Sequence, residues 1–299
     1  MVVLLRVGWH YLKENPMSSP IHLVRRFPIS AFAVLACLFG WAVYAVAALG
    51  LGNNPENTPL GPALAALVVT SCQGRAALRA WGRSLRSWAA SPWLYLLAVG
   101  APIFLHVSIV LANHLLGAPL PTGAQLGAWP EVPVTFLAML VLVGLGEEAG
   151  WTAFAAPILL RRFGLLGAFA VLAPLRILWH LPLVITGHMP LAIAVLANAG
   201  FQLIVLLMLQ HPRGSWTLAA VWHATVNAFG GAFFFTMVTG PDRDHLDLLL
   251  GFVYALAGAL ALLAYLVTGR GQDLSGEELT MDLPDNAPAT PTATTVSPR

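Results

Sequence analysis

The sequence predicts an all-α fold, a polytopic bundle of transmembrane helices, on three observations. First, 58% of the 299 residues are hydrophobic and 9% charged, with a mean hydropathy of +0.76. A soluble domain carries about a quarter charged residues. Second, the apolar residues form long Leu- and Ala-rich runs instead of short alternating ones. Of the two backbones that a bilayer tolerates, closed barrels and helices, such runs select helices. Third, the basic residues gather at the ends of alternate runs, as the orientation rule for membrane helices requires.

Taken in order, eight spans are expected, at 27–51, 60–73, 93–116, 132–160, 163–186, 189–209, 215–239 and 246–268. The first follows Arg25 and Arg26, and its apolar stretch exceeds the roughly 7–15 residues of a signal-peptide core, so it reads as a retained anchor. The second is the shortest. With the N-terminus in the cytoplasm, the cytoplasmic segments hold Arg6, Lys13, Arg25, Arg26, Arg75, Arg79, Arg83, Arg86, Arg161, Arg162, Arg213, Arg270 and Arg299. Arg243 alone lies on the other side, and Arg176 falls inside a span. Thirteen against one predicts an even number of spans with both termini inside.

Between the second and third spans, Arg75, Arg79, Arg83 and Arg86 share one helical face, and Leu78, Trp81, Leu85 and Trp88 the other. This pattern predicts a helix in the membrane interface, arginines toward phosphates and rings toward acyl chains. From 271 the composition turns to Pro, Thr and acidic residues, which predicts a disordered tail. The organisation is therefore a cytoplasmic segment (1–26), two spans with the interfacial helix (27–90), a core (91–240), a last span (241–269) and a cytoplasmic tail (270–299). Cys37 and Cys72 lie in apolar runs and read as packing residues, since two lone thiols make neither a metal framework nor a disulfide signature. There is no Gly-rich phosphate loop and no aromatic-basic surface for nucleic acid. The expected partners are the lipid bilayer and a membrane-associated peptide or protein substrate, and the expected location is integral to a bacterial cell membrane.

A carboxylate at mid-membrane is costly unless paired or hydrated, so intramembrane ionisable residues are functional candidates. Three spans concentrate them: Glu147 and Glu148 in GLGEEAGW, Arg176 and His180 in LRILWHLP, His223 and Asn227 in WHATVNAF. At about 1.5 Å per residue, Glu147 lies about 21 Å from Arg161, His180 about 24 Å from Gly164 and His223 about 15 Å from Arg213. All three reach mid-bilayer, which points to one shared site. His223 and Asn227, Arg176 and His180, and Glu148 and Thr152 are i,i+4 pairs that share a face. Glu147 and Glu148 are neighbours about 100° apart on a helix, so one can act while the other is tied up in support. Gly144, Gly146 and Gly150 around them allow a backbone or a substrate to approach closely.

The bland readings differ in weight. A lone His-Asn pair in a membrane helix is more often glue between helices than chemistry, but two adjacent buried carboxylates are harder to explain by packing. Asn198 and Gln202 in the sixth span read as packing glue or support. His188, His211, His245, Asp242, Asp244 and Asp247 read as loop polarity.

GEEAGW, WHLP and HATVN, in that order and each on its own hydrophobic helix, resemble the CAAX protease and bacteriocin-processing (CPBP, or Abi) family of intramembrane proteases, in the manner of the type II CAAX prenyl endopeptidases. The resemblance covers about 91–239. It implies that Glu147 and His180 activate the water that attacks a peptide carbonyl, while His223 and Asn227 stabilise the oxyanion and Glu148 supports. A buried Glu is a usable general base, and an imidazole and an amide one turn apart suit an oxyanion. Relatives are commonly called metalloproteases, and Glu147, His180 and His223 could hold zinc with an open position. The same residues could work without metal. The sequence departs from the family pattern twice: the arginine that follows the glutamate pair is Thr152 here, and the phenylalanine before the first histidine is Arg176. Trp151 lies beside them as a supporting residue. Arg176 is expected to supply from the fifth span the charge usually supplied from the fourth, pairing with Glu148. The alternatives are a non-catalytic relative that serves bacteriocin immunity or peptide binding, and a proton-coupled transporter. A transporter should show internal repeats, and none is evident.

Overall fold

The structure, a computed structural model, describes residues 19–48, 59–88 and 90–268. The N-terminal segment up to 18 and the tail expected to be disordered lie outside the described residues. Every element among them is helical. In chain order the α-helices are α1 Pro20–Arg26, α2 Pro28–Ala48, α3 Gly61–Gln73, α4 Arg75–Leu85, α5 Pro92–Leu115, α6 Gly123–Leu126, α7 Val132–Met139, α8 Ala156–Trp179, α9 Leu181–Ile185, α10 Asn198–Gln210, α11 Trp216–Thr225 and α12 Pro241–Val267. Four π-helical stretches interrupt them, at Leu140–Glu148, Trp151–Ala155, Ile193–Ala197 and Val226–Phe234.

Five helices are long and apolar enough to cross a membrane, or six if the bent pair at α1 and α2 forms one span. Eight stretches were expected, and the difference has physical causes. The segment 60–73 folds as α3, whose 13 residues reach only about 20 Å, short of the hydrocarbon thickness. The fourth and fifth stretches join in one helical run, Gly123–Trp179, broken at Gly164 with φ 67. Only glycine adopts that conformation cheaply, and the chain doubles back there. A straight helix would hold Glu148 and Arg176, 28 residues apart, about 42 Å from each other, yet they are in contact. The last helix also begins earlier than expected. Asp242, Asp244 and Asp247 belong to the start of α12, not to a loop, and Asp247 is buried with Arg243 Nε 2.9 Å from its Oδ1.

Two apolar clusters hold the bundle. One joins Phe32 of α2, Ala65 and Val69 of α3, Trp151, Phe154, Leu172 and Trp179. The other joins Ile109 of α5, Phe201 and Val205 of α10, Trp222 of α11 and Tyr254 of α12. Large apolar side chains such as Phe104, Leu256, Leu260 and Leu263 face outward, as a lipid solvent allows. The glycines flanking the glutamate pair receive other helices. A Cβ on Gly146 or Gly150 would collide with Pro59 or Pro62 at the start of α3, and one on Gly144 would press on Ala220 of α11.

Candidate active site

The site forms where the two clusters meet, and the helix irregularities set its geometry. Glu147 and Glu148 end one π-helical stretch, Trp151 and Thr152 open the next, and Asn227 lies in a third. Such widened turns shift side chains away from 3.6-residue periodicity and are frequent at functional sites. His180 caps the C-terminus of α8, where Pro182 in the following turn ends the regular helix.

Glu148 is fully committed. Its Oε1 accepts from Arg176 Nη2 at 2.9 Å and from His223 Nδ1 at 2.8 Å, and its Oε2 accepts from the Thr152 hydroxyl. The pairing expected between Arg176 and Glu148 is therefore present, and both residues are 0% exposed. The guanidinium also donates through Nε to Gln202 Oε1 at 3.0 Å and lies over the rings of Phe201, at 4.8 Å, and Trp151, at 5.7 Å. Phe201 also packs against the His223 ring, with centroids 4.7 Å apart.

Glu147 is different. Its Oε2 is buried with no hydrogen-bond partner and lies 3.8 Å from Arg176 Nη1, in charge contact but beyond hydrogen-bonding range. The structure thus separates the adjacent carboxylates into one that is saturated and one that keeps a free oxygen.

The two histidines are oriented by their Nδ1 atoms. His180 Nδ1 lies 2.7 Å from the Arg176 carbonyl oxygen. A carbonyl only accepts, so Nδ1 carries the proton and, in the neutral ring, Nε2 keeps its lone pair. His223 Nδ1 is held in the same way by the Glu148 carboxylate. Asn227 Nδ2 donates one proton to the His223 carbonyl at 3.0 Å and retains a second. His188 is exposed and contacts Thr186, and the His211 ring accepts from the Arg213 backbone. Both lie outside the cluster.

Gln202 was read from sequence as glue or support; the structure puts it on Arg176. Trp81 departs from its expected role, because its indole turns inward and donates to the Ala149 carbonyl at 3.1 Å instead of facing acyl chains.

The chemistry of the donor set tests whether a metal fits. The metal-capable atoms that lie within 4.8 Å of one another belong to Glu147, Glu148 and His223; His180, expected among the ligands, is not one of the three. Both Glu148 oxygens already accept hydrogen bonds, and a dication there would sit beside the Arg176 guanidinium. These residues do not fit zinc.

An all-helical membrane protein whose paired glutamates, arginine and histidines are buried between helices belongs to the class of proteins that gather ionisable side chains inside the bundle. Residues 129–229, the stretch that carries all these groups, match the family model described as type II CAAX prenyl endopeptidase Rce1-like. No curated protein matches the chain.

Proposed function

We propose that the chain is an intramembrane endopeptidase of the CAAX type. It hydrolyses a peptide bond of a membrane-associated or lipid-modified protein or peptide, with Glu147 as the general base. The observation that carries this reading is the unequal bonding of the two carboxylates: Glu148 is saturated, while Glu147 Oε2 has no hydrogen-bond partner. A base must have a lone pair within reach of the proton it takes, and Glu147 Oε2 is the carboxylate oxygen of the pair that no donor occupies.

Water bound between Glu147 and His180 Nε2 attacks the scissile carbonyl as Glu147 takes its proton. The oxyanion that forms accepts from His223 Nε2–H and from the second amide proton of Asn227. Glu148 holds His223 Nδ1 and so fixes the ring; donation to the oxyanion needs a proton on Nε2 as well. Glu147 then passes the proton to the leaving amine as the C–N bond breaks.

The test is Glu147→Gln in proteoliposomes that carry a membrane-anchored fluorogenic peptide, offered with and without a prenyl group. Hydrolysis is expected to fall about 10²–10⁴-fold, the usual contribution of a general acid–base group, with the unfolding midpoint in detergent unchanged. Hydrolysis by Glu147→Gln at the wild-type rate would overturn the proposal.

A further inference from the structure

Helix α4 presents Arg75, Arg79 and Arg83 outward, with Arg86 just beyond its end, and all four are exposed. Among the described residues none of the four has an acidic partner, and the first acidic residue among them is Glu131. The opposite face of the same segment is bonded to both elements of the site. Trp81 Nε1 donates to the carbonyl of Ala149, the residue after the glutamate pair. Trp216 Nε1 donates to the Ser84 carbonyl at 2.9 Å, and Ser215 Oγ to the Ser87 carbonyl at 3.0 Å. Ser215 caps α11 and Trp216 begins it, the helix that carries His223. One short helix thus ties the glutamate element to the histidine helix, with its arginine face exposed and without an acidic partner among the described residues.

We infer that α4 is a binding surface for anionic phospholipid headgroups and that lipid bound there tightens the active site through Trp81 and Trp216. A lipid occupant fits this face better than an acidic protein. Trp88 and Trp93 at the end of the segment are exposed, as indoles are at the headgroup level. Arg25 also joins the patch, its Nε bonded to the Cys72 carbonyl at 2.7 Å, two residues before α4's N-cap Gly74. Arginine binds phosphate through paired donors. Headgroups across Arg75, Arg79 and Arg83 restrict α4, and with it the spacing between Ala149 and the start of α11. The effect on catalysis rests on the endopeptidase reading; the lipid contact and its transmission do not.

The test reconstitutes the full chain in phosphatidylcholine vesicles with and without phosphatidylglycerol, and measures peptide hydrolysis together with amide hydrogen exchange. Phosphatidylglycerol is expected to slow exchange in 75–88 and in 140–155. It should raise kcat/KM about tenfold, below the roughly hundredfold that three basic residues near an anionic surface could supply. Replacing Arg75, Arg79 and Arg83 together by Gln should remove both responses and leave behaviour in phosphatidylcholine unchanged, and the matching Lys variant should keep most of them. Trp81→Phe should keep the slowing in 75–88 and lose it in 140–155. A Gln variant that responds as the wild type does would overturn the inference, as would a wild type whose exchange ignores phosphatidylglycerol. Slowed exchange without any hydrolysis would support the lipid surface and count against the endopeptidase reading.

Discussion

Arg176 meets Glu147, Glu148, Gln202 and two aromatic rings at once, and its removal leaves Glu148 as a buried carboxylate with only His223 and Thr152. Breaking a buried ion pair by truncating one partner costs about 3–5 kcal/mol. Arg176→Phe is therefore expected to lower the unfolding midpoint in detergent sharply and to abolish hydrolysis. Adding Thr152→Arg returns a cation to the helix that carries it in relatives, and the double variant should recover much of both. No recovery would mean that the cation acts only from α8. Hydrolysis is also expected to survive chelators, and zinc should be absent in stoichiometric amount from the purified protein, because Glu148 is occupied by a guanidinium. Loss of activity on chelation, restored by zinc, would contradict this. Arg176 and Glu148 could be matched from sequence because neither is tolerable alone in a bilayer. Gln202 could not be tied to them, since a single amide in an apolar helix has many ways to be satisfied. The freedom of Glu147 was equally hidden, because adjacent glutamates are equivalent until their partners are placed.

The elements around the site depend on close helix contact and on turns that no local pattern announces. Periodicity at 3.6 residues correctly put Arg176 on the face of His180, whose ring reaches the Arg176 carbonyl. It said nothing of the π-helical turns at Leu140–Glu148 and Val226–Phe234, because widened turns arise from tertiary packing. The glycines beside the glutamates were legible as sites of close approach, and what approaches is α3. Gly150→Ala is expected to cost about 1–3 kcal/mol, the range for overpacking a filled interior, because its Cβ has no space beside Pro62. Gly100→Ala in α5 meets nothing within 4 Å and should be neutral, or stabilising by up to about 1 kcal/mol from helix propensity. Unfolding midpoints of the two variants measure the difference, and equal midpoints would deny that α3 seats on Gly150. The amphipathic pattern of α4 was also visible in the sequence. The inward turn of Trp81 was not, because an indole that bonds a carbonyl 68 residues away leaves no trace in local spacing.

For the whole molecule, composition alone indicated a helical membrane protein, since so few charges cannot cover a water-exposed surface. The number of crossings was less legible, because hydropathy counts apolar stretches and not helix lengths: α3 reaches only about 20 Å, and two of the expected stretches share one helical run folded at Gly164. Orientation still rests on the basic residues, and the helix Ile193–Gln210 offers a direct test. Its 18 residues span about 27 Å, so the exposed loops at its two ends should face opposite sides. Arg213 puts the neighbouring Pro212 in the cytoplasm and His188 outside. With Cys37 and Cys72 replaced by Ala, His188→Cys is expected to react with an impermeant maleimide in intact cells. Pro212→Cys should react only after the membrane is opened. The reverse pattern would invert the protein and put α4 on the outer surface. Labelling of both from one side would mean that Ile193–Gln210 does not cross, and the site would then lie nearer one membrane surface than its burial among these helices implies.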